Sequence, residues 1–393
     1  MNRTAGLIAL SAVLAAPACA QELTLRDAAA SRGFMAGAVV SYDTVRDGAY
    51  RELLKRDFNS LTAANEFKAY SLVSQKLSRN SADGMPVMDY TRADAIMDFA
   101  AANGFRVRGH VLVWDAFMPD WFFREGYKKS GKLVDGGLMR ERLRSYITSV
   151  ITHFEEKYPG VIYCWDVVNE AVGDSSADYD AGDPRHVRTK RGGAANLFRS
   201  VIGPDYVELS FRYAREAADS AGADIKLFYN DYNTFYEDKR NAICALVESI
   251  NSDGKFCDGV GMQAYIGGYG KQAGCMNPAD IARVGESIRR YASLGCEVQL
   301  TELAVRNYRN DADTMRRHAE FCGNLFRMLS KVNSAENSPL TAVSVWGLVD
   351  DPDSDPASYG YRMNGPYCGI YDSGLNKKPE FYEIVAALSG EEK

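Results

Sequence analysis

Eight short apolar runs recur along the chain, each followed by a stretch with helical spacing, and this alternation restricts the fold more than any single motif. The runs are Phe34 to Ser41, Ser60 to Asn65, Arg106 to Trp114, Ile162 to Glu170, Lys226 to Asn233, Gly259 to Tyr265, Glu297 to Leu303 and Ala342 to Asp350. Helical patterns separate them. "RERLRSYITSVITHFEEKY" from Arg140 spaces apolar residues three and four apart and closes at Pro159 and Gly160. "GPDYVELSFRYAREAADSAG" carries Pro204 near its start and Gly222 past its end. No linker rich in Pro, Gly or Ser divides these units, so they imply an α/β fold, a (β/α)8 TIM barrel forming one domain over residues 21–393. A doubly wound sheet is the alternative. It would carry a Gly-rich phosphate turn after its first strand, and "YDTVRDGAY" after Ser41 is not one.

The barrel needs a large core, which a 46 % hydrophobic composition supplies. A net charge of -6 without long charge runs argues against a nucleic-acid surface. The first residues follow the secretory pattern: Arg3, an apolar stretch from Leu7 to Ala16, then Ala18-Cys19-Ala20 as a cleavage site. A signal peptide over residues 1–20 is expected, and Cys19 leaves a lipoprotein signal open. The mature protein is therefore expected to be secreted, periplasmic or lipid-anchored at the cell surface, since no later segment is apolar enough to span a bilayer, and a monomer is expected. Seven cysteines remain after Cys19, without zinc-site spacing. Cys244 with Cys257, or Cys296 with Cys322, are candidate disulfides, and Cys164 reads as a buried thiol. The basic strings "KKSGK" and "RTKRGG" read as solvated loops, and His153 and His318 as packing or surface residues.

Polar and aromatic residues gather where the runs end, which in a barrel is the face that carries active sites. Asn65, Glu66 and Lys68 follow the second run; His110 and Trp114 close the third; Trp165, Asn169 and Glu170 the fourth; Asn230, Asp231 and Tyr232 the fifth; Gln263 and Tyr265 the sixth; Glu302 the seventh; Trp346 and Asp350 the eighth. Flat aromatic faces suit the C–H surfaces of sugar rings, and amides and carboxylates suit their hydroxyl rims. For Trp121 and Trp165 a core role stands equally open. Glycoside hydrolysis needs a proton donor and a second carboxylate flanking the anomeric carbon, and Glu170 and Glu302 supply such a pair. The chemistry requires no cofactor. Asp231 and Asp350 lack metal-ligand spacing and read as structural hydrogen-bonding groups, so no metal is expected. The expected partner is a polysaccharide or oligosaccharide, not a nucleic acid.

At these residues the chain resembles family 10 of the glycoside hydrolases, the (β/α)8 endo-β-1,4-xylanases, over nearly its whole mature length. The resemblance rests on "FNSLTAANEFK" from Phe58, "RGHVLVW" ending at Trp114, "WDVVNEA" from Trp165, "LFYNDYN" ending at Asn233, "DGVGMQAY" from Asp258, "VQLTEL" ending at Leu303, "SVWGLVD" ending at Asp350 and "KPEFYEIV" from Lys378. It implies a retaining mechanism with Glu170 as acid/base and Glu302 as nucleophile. It implies also that Asn65, Lys68, His110, Trp114, Asn169, Tyr232, Gln263, Tyr265, Trp346 and Tyr359 line the substrate subsites.

Several positions depart from the family pattern. Ala64 replaces a glutamate, Phe117 a glutamine, Asp115 a histidine, Ala69 a tryptophan and Ala304 an aspartate. Tyr265 stands where a histidine normally bonds the nucleophile, and Ser358 and Tyr359 stand roughly for a Ser-Trp pair. These changes cluster at substrate contacts, so a β-linked backbone other than plain xylan, or a decorated one, stays open beside xylan itself. A barrel that binds glycans with little or no turnover is the rival of another class.

Overall fold

The computed structural model describes residues 23–390 apart from 269 and 336; the leader predicted over residues 1–20, with Cys19, lies outside the described residues. Eight strands pair in parallel and close into a barrel: β1 Met35–Val40, β2 Ser60–Ala63, β3 Arg106–Gly109, β4 Ile162–Asn169, β5 Lys226–Asp231, β6 Gly259–Met262, β7 Glu297–Val305 and β8 Leu340–Val345. Each strand pairs with the next, and β1 returns to β8 through Met35 opposite Ala342 and Ala38 opposite Val345. Strands covered on both faces have no solvent side, so they read as continuous apolar runs rather than alternating ones. β4 is buried along its whole length and β7 at all but its first residue.

Outer helices cover the barrel: α1 Gly48–Asp57, α2 Thr91–Ala102, α3 Gly136–Lys157, α4 Tyr206–Ala221, α5 Glu237–Ile250, α6 Pro278–Ala292, α7 Ala312–Ala335 and α8 Pro379–Ser389. In α4 the buried residues Tyr206, Val207, Ser210, Phe211, Ala214, Ala217 and Ala218 form one stripe, and Gly222 ends the helix in the left-handed region at φ 69°. Asn277 caps α6 by accepting from Ala279 N, one residue before Pro278.

The runs predicted to reach Trp114 and Asp350 end as strands at Gly109 and Val345. The apolar signal continued for a physical reason. After Gly109 the chain shifts its pairing, with Leu112 and Val113 donating to Asp166 O and Val167 O of β4. Val349 likewise bridges Tyr371 beyond β8. The long loop after β4 holds a small hairpin, Lys190–Arg191 against Ala194–Ala195, and the loop after β8 a short helix, Tyr359–Asn364. The candidate disulfides are not formed: Cys244, Cys257, Cys296 and Cys322 are free, buried in the helical layer or at strand starts where apolar packing suffices. Cys164 is a buried thiol, and burial pushes it up to about 12. Among the described residues no helix is long and apolar enough to cross a membrane.

Candidate active site

Glu170 is the first residue past β4, and its backbone sits in the left-handed region at φ 55°, which costs a residue with a Cβ about 1–2 kcal/mol. Its N–H donates to Asn230 O of β5 at 2.8 Å, so two strand ends hold the turn. Glu302 projects from within β7. Just past β6 the two-residue strand Tyr265–Ile266 pairs with Ala304 and Val305 and sets Tyr265 beside Glu302.

A hydrogen-bond chain joins the two carboxylates. Gln263 Nε2 donates to Glu170 Oε1 at 2.9 Å and to Asn169 Oδ1 at 3.3 Å. Asn230 Nδ2 donates to the same Asn169 oxygen at 2.9 Å and to Glu302 Oε1 at 3.3 Å. Asn230 Oδ1 accepts from Thr301 Oγ1 at 2.7 Å, which fixes the orientation of that amide. Asn169 Nδ2 is buried and carries no protein partner, a donor held ready beside both glutamates. On the other oxygen of Glu302, Tyr265 Oη donates a hydrogen bond. Burial, reinforced by Glu302, pushes that phenol well above its ordinary range, so it stays a donor.

The two carboxyls differ in surroundings. Burial raises Glu170 to about 7; Arg191 and Gln263 pull against the rise, while Asp231 and Glu302 add to it. A carboxyl titrating near neutrality is suited to give and take a proton. Lys68 is lowered by burial and partly restored by Glu302, Glu170 and Glu66, and its Nζ donates to Asn65 Oδ1 at 3.2 Å.

His110 Nδ1 lies 2.8 Å from Asp166 Oδ2, and Arg108 pairs with both oxygens of Asp166. Burial pushes Asp166 up, but Arg108 and His110 more than offset it and leave it below its usual value. An ionised Asp166 accepts from Nδ1, leaving Nε2 as the nitrogen it does not engage. The His110 ring meets Trp346 edge-on at 6.4 Å and Trp114 at 6.1 Å.

Other predicted residues sit further out. Tyr232 Oη bonds Asp174 and accepts from Arg188 Nη2 at 3.0 Å, so its hydroxyl is engaged by protein. Tyr359, 69 % exposed, starts the short helix of the eighth loop and acts electrostatically on Tyr265. Trp165 packs between Phe67 and Phe154, with ring centroids at 5.9 Å from each, and Trp121 is buried beside Tyr127; both belong to the core. Asp231 and Asp350 bond Tyr229 and Lys378 respectively. Among the described residues no three His, Cys, Asp or Glu side chains gather as a metal site. His318 is buried between Glu380 and Val305 O, and His153 stacks on Tyr90.

The basic string "RTKRGG" is not the solvated loop expected from its composition. Arg188 is 3 % exposed and donates to Glu170 O, and Arg191 Nη1 lies 2.8 Å from Glu170 Oε2. Composition alone does not reveal that this loop folds inward.

A sequence model of glycosyl hydrolase family 10 matches residues 24–387. Endo-1,4-beta-xylanase A of Thermotoga maritima is 34 % identical over 346 residues, 85 % of this chain and 28 % of that protein. An endo-1,4-beta-xylanase of Geobacillus stearothermophilus is 30 % identical over 378 residues, 93 % of this chain and 99 % of that one. Several curated relatives are thus much longer, the chain spanning under a third of their length. Among solved structures, the CBM22-1 and GH10 modules of Clostridium thermocellum endo-1,4-beta-D-xylanase 10B, complexed with xylohexaose, superpose with a TM-score of 0.79. They share 28 % identity over 92 % of this chain and 67 % of that one. An intracellular xylanase of Thermoanaerobacterium saccharolyticum gives 0.74 and 30 % identity, covering 93 % and 99 % of the two chains.

Proposed function

The chain belongs to glycosyl hydrolase family 10, and from that premise we propose that it hydrolyses β-1,4-xylan or a related β-linked polysaccharide by double displacement, with Glu170 as acid/base and Glu302 as nucleophile. The observation that carries this reading is the pair of buried glutamates on β4 and β7, linked through Gln263, Asn169 and Asn230. In the first step a Glu302 oxygen bonds the anomeric carbon while Glu170 protonates the departing glycosidic oxygen. In the second, water replaces Glu302 at that carbon and gives its proton to Glu170, so configuration is retained. Asn169 Nδ2, lacking a protein partner, is suited to the sugar 2-hydroxyl, a contact that strengthens in the transition state. His110 adjoins both Trp346 and Trp114, and Lys68 Nζ lies 5.1 Å from the centre of the Trp114 ring, which supports a shared role of these four in lining the substrate subsite.

The glycone side supports a specificity other than plain xylan. Phe117 fills the place of an amide and packs on Trp114 at 4.4 Å, while Ala64 and Ala304 offer no polar group. The secretory pattern over residues 1–20 supports export, with a new N-terminus near Gln21 or at a lipidated Cys19.

Incubation with soluble xylan, an aryl β-xyloside and a panel of β-glycans tests the reading, with the anomeric form of the first product read by proton NMR. Release of the β-anomer is expected. Glu302→Ala and Glu170→Ala should each lower the rate on the polymer by about 10²–10⁴-fold or more, and azide should partly restore Glu170→Ala on a substrate with a good leaving group. Binding of a glycan with no reducing sugar released from any substrate would instead favour the non-catalytic barrel.

A further inference from the structure

The hairpin after β4 carries Arg191 between two carboxylates. Its Nη1 donates to Glu170 Oε2 at 2.8 Å, its Nη2 to Asp115 Oδ1 at 2.9 Å and to Glu170 O at 3.0 Å, and its Nε to Asp115 Oδ2 at 3.2 Å. The Asp115 side chain is 5 % exposed. A carboxylate so buried is stable only with a cation, and a guanidinium presents several donors in one plane to bridge two acceptors. Asp115, which replaces a histidine of the family pattern, is therefore charge-complementary to Arg191 on the long loop after β4.

The second step of the proposed reaction demands an ionised Glu170. The oxygen of water bonds the anomeric carbon, the bond to Glu302 breaks with its electron pair returning to that carboxylate, and the water proton passes to Glu170. Burial opposes ionisation, as do Asp231 on β5 and Glu302 on β7. Lys68, beyond β2, is coupled to Glu170, and so is the neutral Tyr265 phenol beyond β6, but neither bonds it. Arg188 donates to the Glu170 carbonyl, while Arg191 bonds the carboxylate itself.

We propose that Arg191, anchored by Asp115, is a positioning residue that holds the Glu170 carboxylate in one orientation and in its ionised form for the water-activation step. This rests on the acid/base assignment of Glu170. The anchor also shares out the charge of Arg191, so Glu170 receives part of it and can still hold the proton that it gives to the departing oxygen in the first step.

Two measurements test this. One is a ¹³C NMR titration of the Glu170 δ-carboxyl, identified by its loss in Glu170→Gln; the other is the pH profile of kcat on a dinitrophenyl β-xylobioside, whose leaving group needs no proton, so that the second step limits. Arg191→Gln should raise the titration midpoint by about one unit and lower kcat at pH about 6 roughly tenfold, with KM falling alongside so that kcat/KM on this substrate changes little, and Arg191→Lys should recover most of the loss. Asp115→Asn, which keeps an acceptor but removes the competing charge, should move the midpoint down. A wild-type midpoint in Arg191→Gln, or in Asp115→Asn should the first variant not fold, overturns the inference. So does a kcat loss that is the same at every pH. If wild-type protein turns over no glycoside, the functional assignment and the water-activation role fail together; an unchanged midpoint beside normal turnover sinks the role of Arg191 alone.

Discussion

Phe117 lies where a sugar-reading amide is expected, and its neighbours explain what it does instead. Its ring stands 4.4 Å from Trp114 and 5.4 Å from the half-exposed Tyr70, with Lys68 Nζ 4.7 Å over its face. The three rings make a continuous aromatic wall running outward from the reacting centre. Stacking is indifferent to which hydroxyls a sugar ring carries, whereas an amide or carboxylate reads them one by one. Such a wall tolerates substituents that a hydroxyl-reading site rejects. Ala64, just past β2, removes a carboxylate of the family pattern, so restoring both groups is the fair test. Phe117→Gln with Ala64→Glu should raise kcat/KM on plain xylan by about tenfold or more, the worth of one or two charge-assisted hydrogen bonds. The ratio of rates on plain and decorated xylan reads it. An unaltered ratio would move attention to the eighth loop and Tyr359.

Elements were far more legible than their ends. Starts such as Ser60, Arg106, Ile162, Lys226, Gly259 and Glu297 coincide with predicted ones, because a strand buried on both faces writes an uninterrupted apolar run. The overshoot to Trp114 has the opposite cause: residues 111–113 remain apolar because they lie against β4 without continuing the ladder. In the site, Glu170, Glu302, Asn169 and Gln263 were visible because strand ends point one way in a barrel. Arg188 and Arg191 were not, since the inward fold of a loop depends on partners distant in sequence. Some constraints of the sheet are also silent in sequence, and Gly109 is one. A Cβ there would lie 2.3 Å from Trp165 Cδ2, its partner across the β3–β4 pair, and that indole is wedged against Phe67 and Phe154. Gly109→Ala should therefore cost about 1–3 kcal/mol or more, seen as a lower urea midpoint, and should disturb His110 next to it. Gly48→Ala, at the open start of α1 with no atom within 4 Å of the added carbon, should be near neutral or slightly stabilising. Equal effects in the two variants would contradict this packing account.

Stability of the whole barrel carries the mark of its active site through pH. Asp166, held low by Arg108 against the effect of burial, favours folding above the ordinary aspartate range and loses that contribution as pH falls through its lowered value. Glu170 acts in the opposite sense. Its value rises from 4.5 in the unfolded chain to about 7 in the fold, so the folded state binds the extra proton more tightly. The stability this gives is complete below pH 4.5 and is lost as pH climbs through about 7. The rise corresponds to roughly 3 kcal/mol between the two ends, at 1.36 kcal/mol per unit. A group kept near neutrality for proton transfer thus weakens the fold at the pH where it works, a trade between activity and stability. Glu170→Gln imitates the protonated carboxyl at every pH while leaving Arg191 paired with Asp115. Its melting temperature should match that of the wild type near pH about 4 and exceed it by a few degrees at pH about 8. Calorimetry across that range decides the matter: a difference that stays constant with pH would mean that Glu170 titrates alike in folded and unfolded chains.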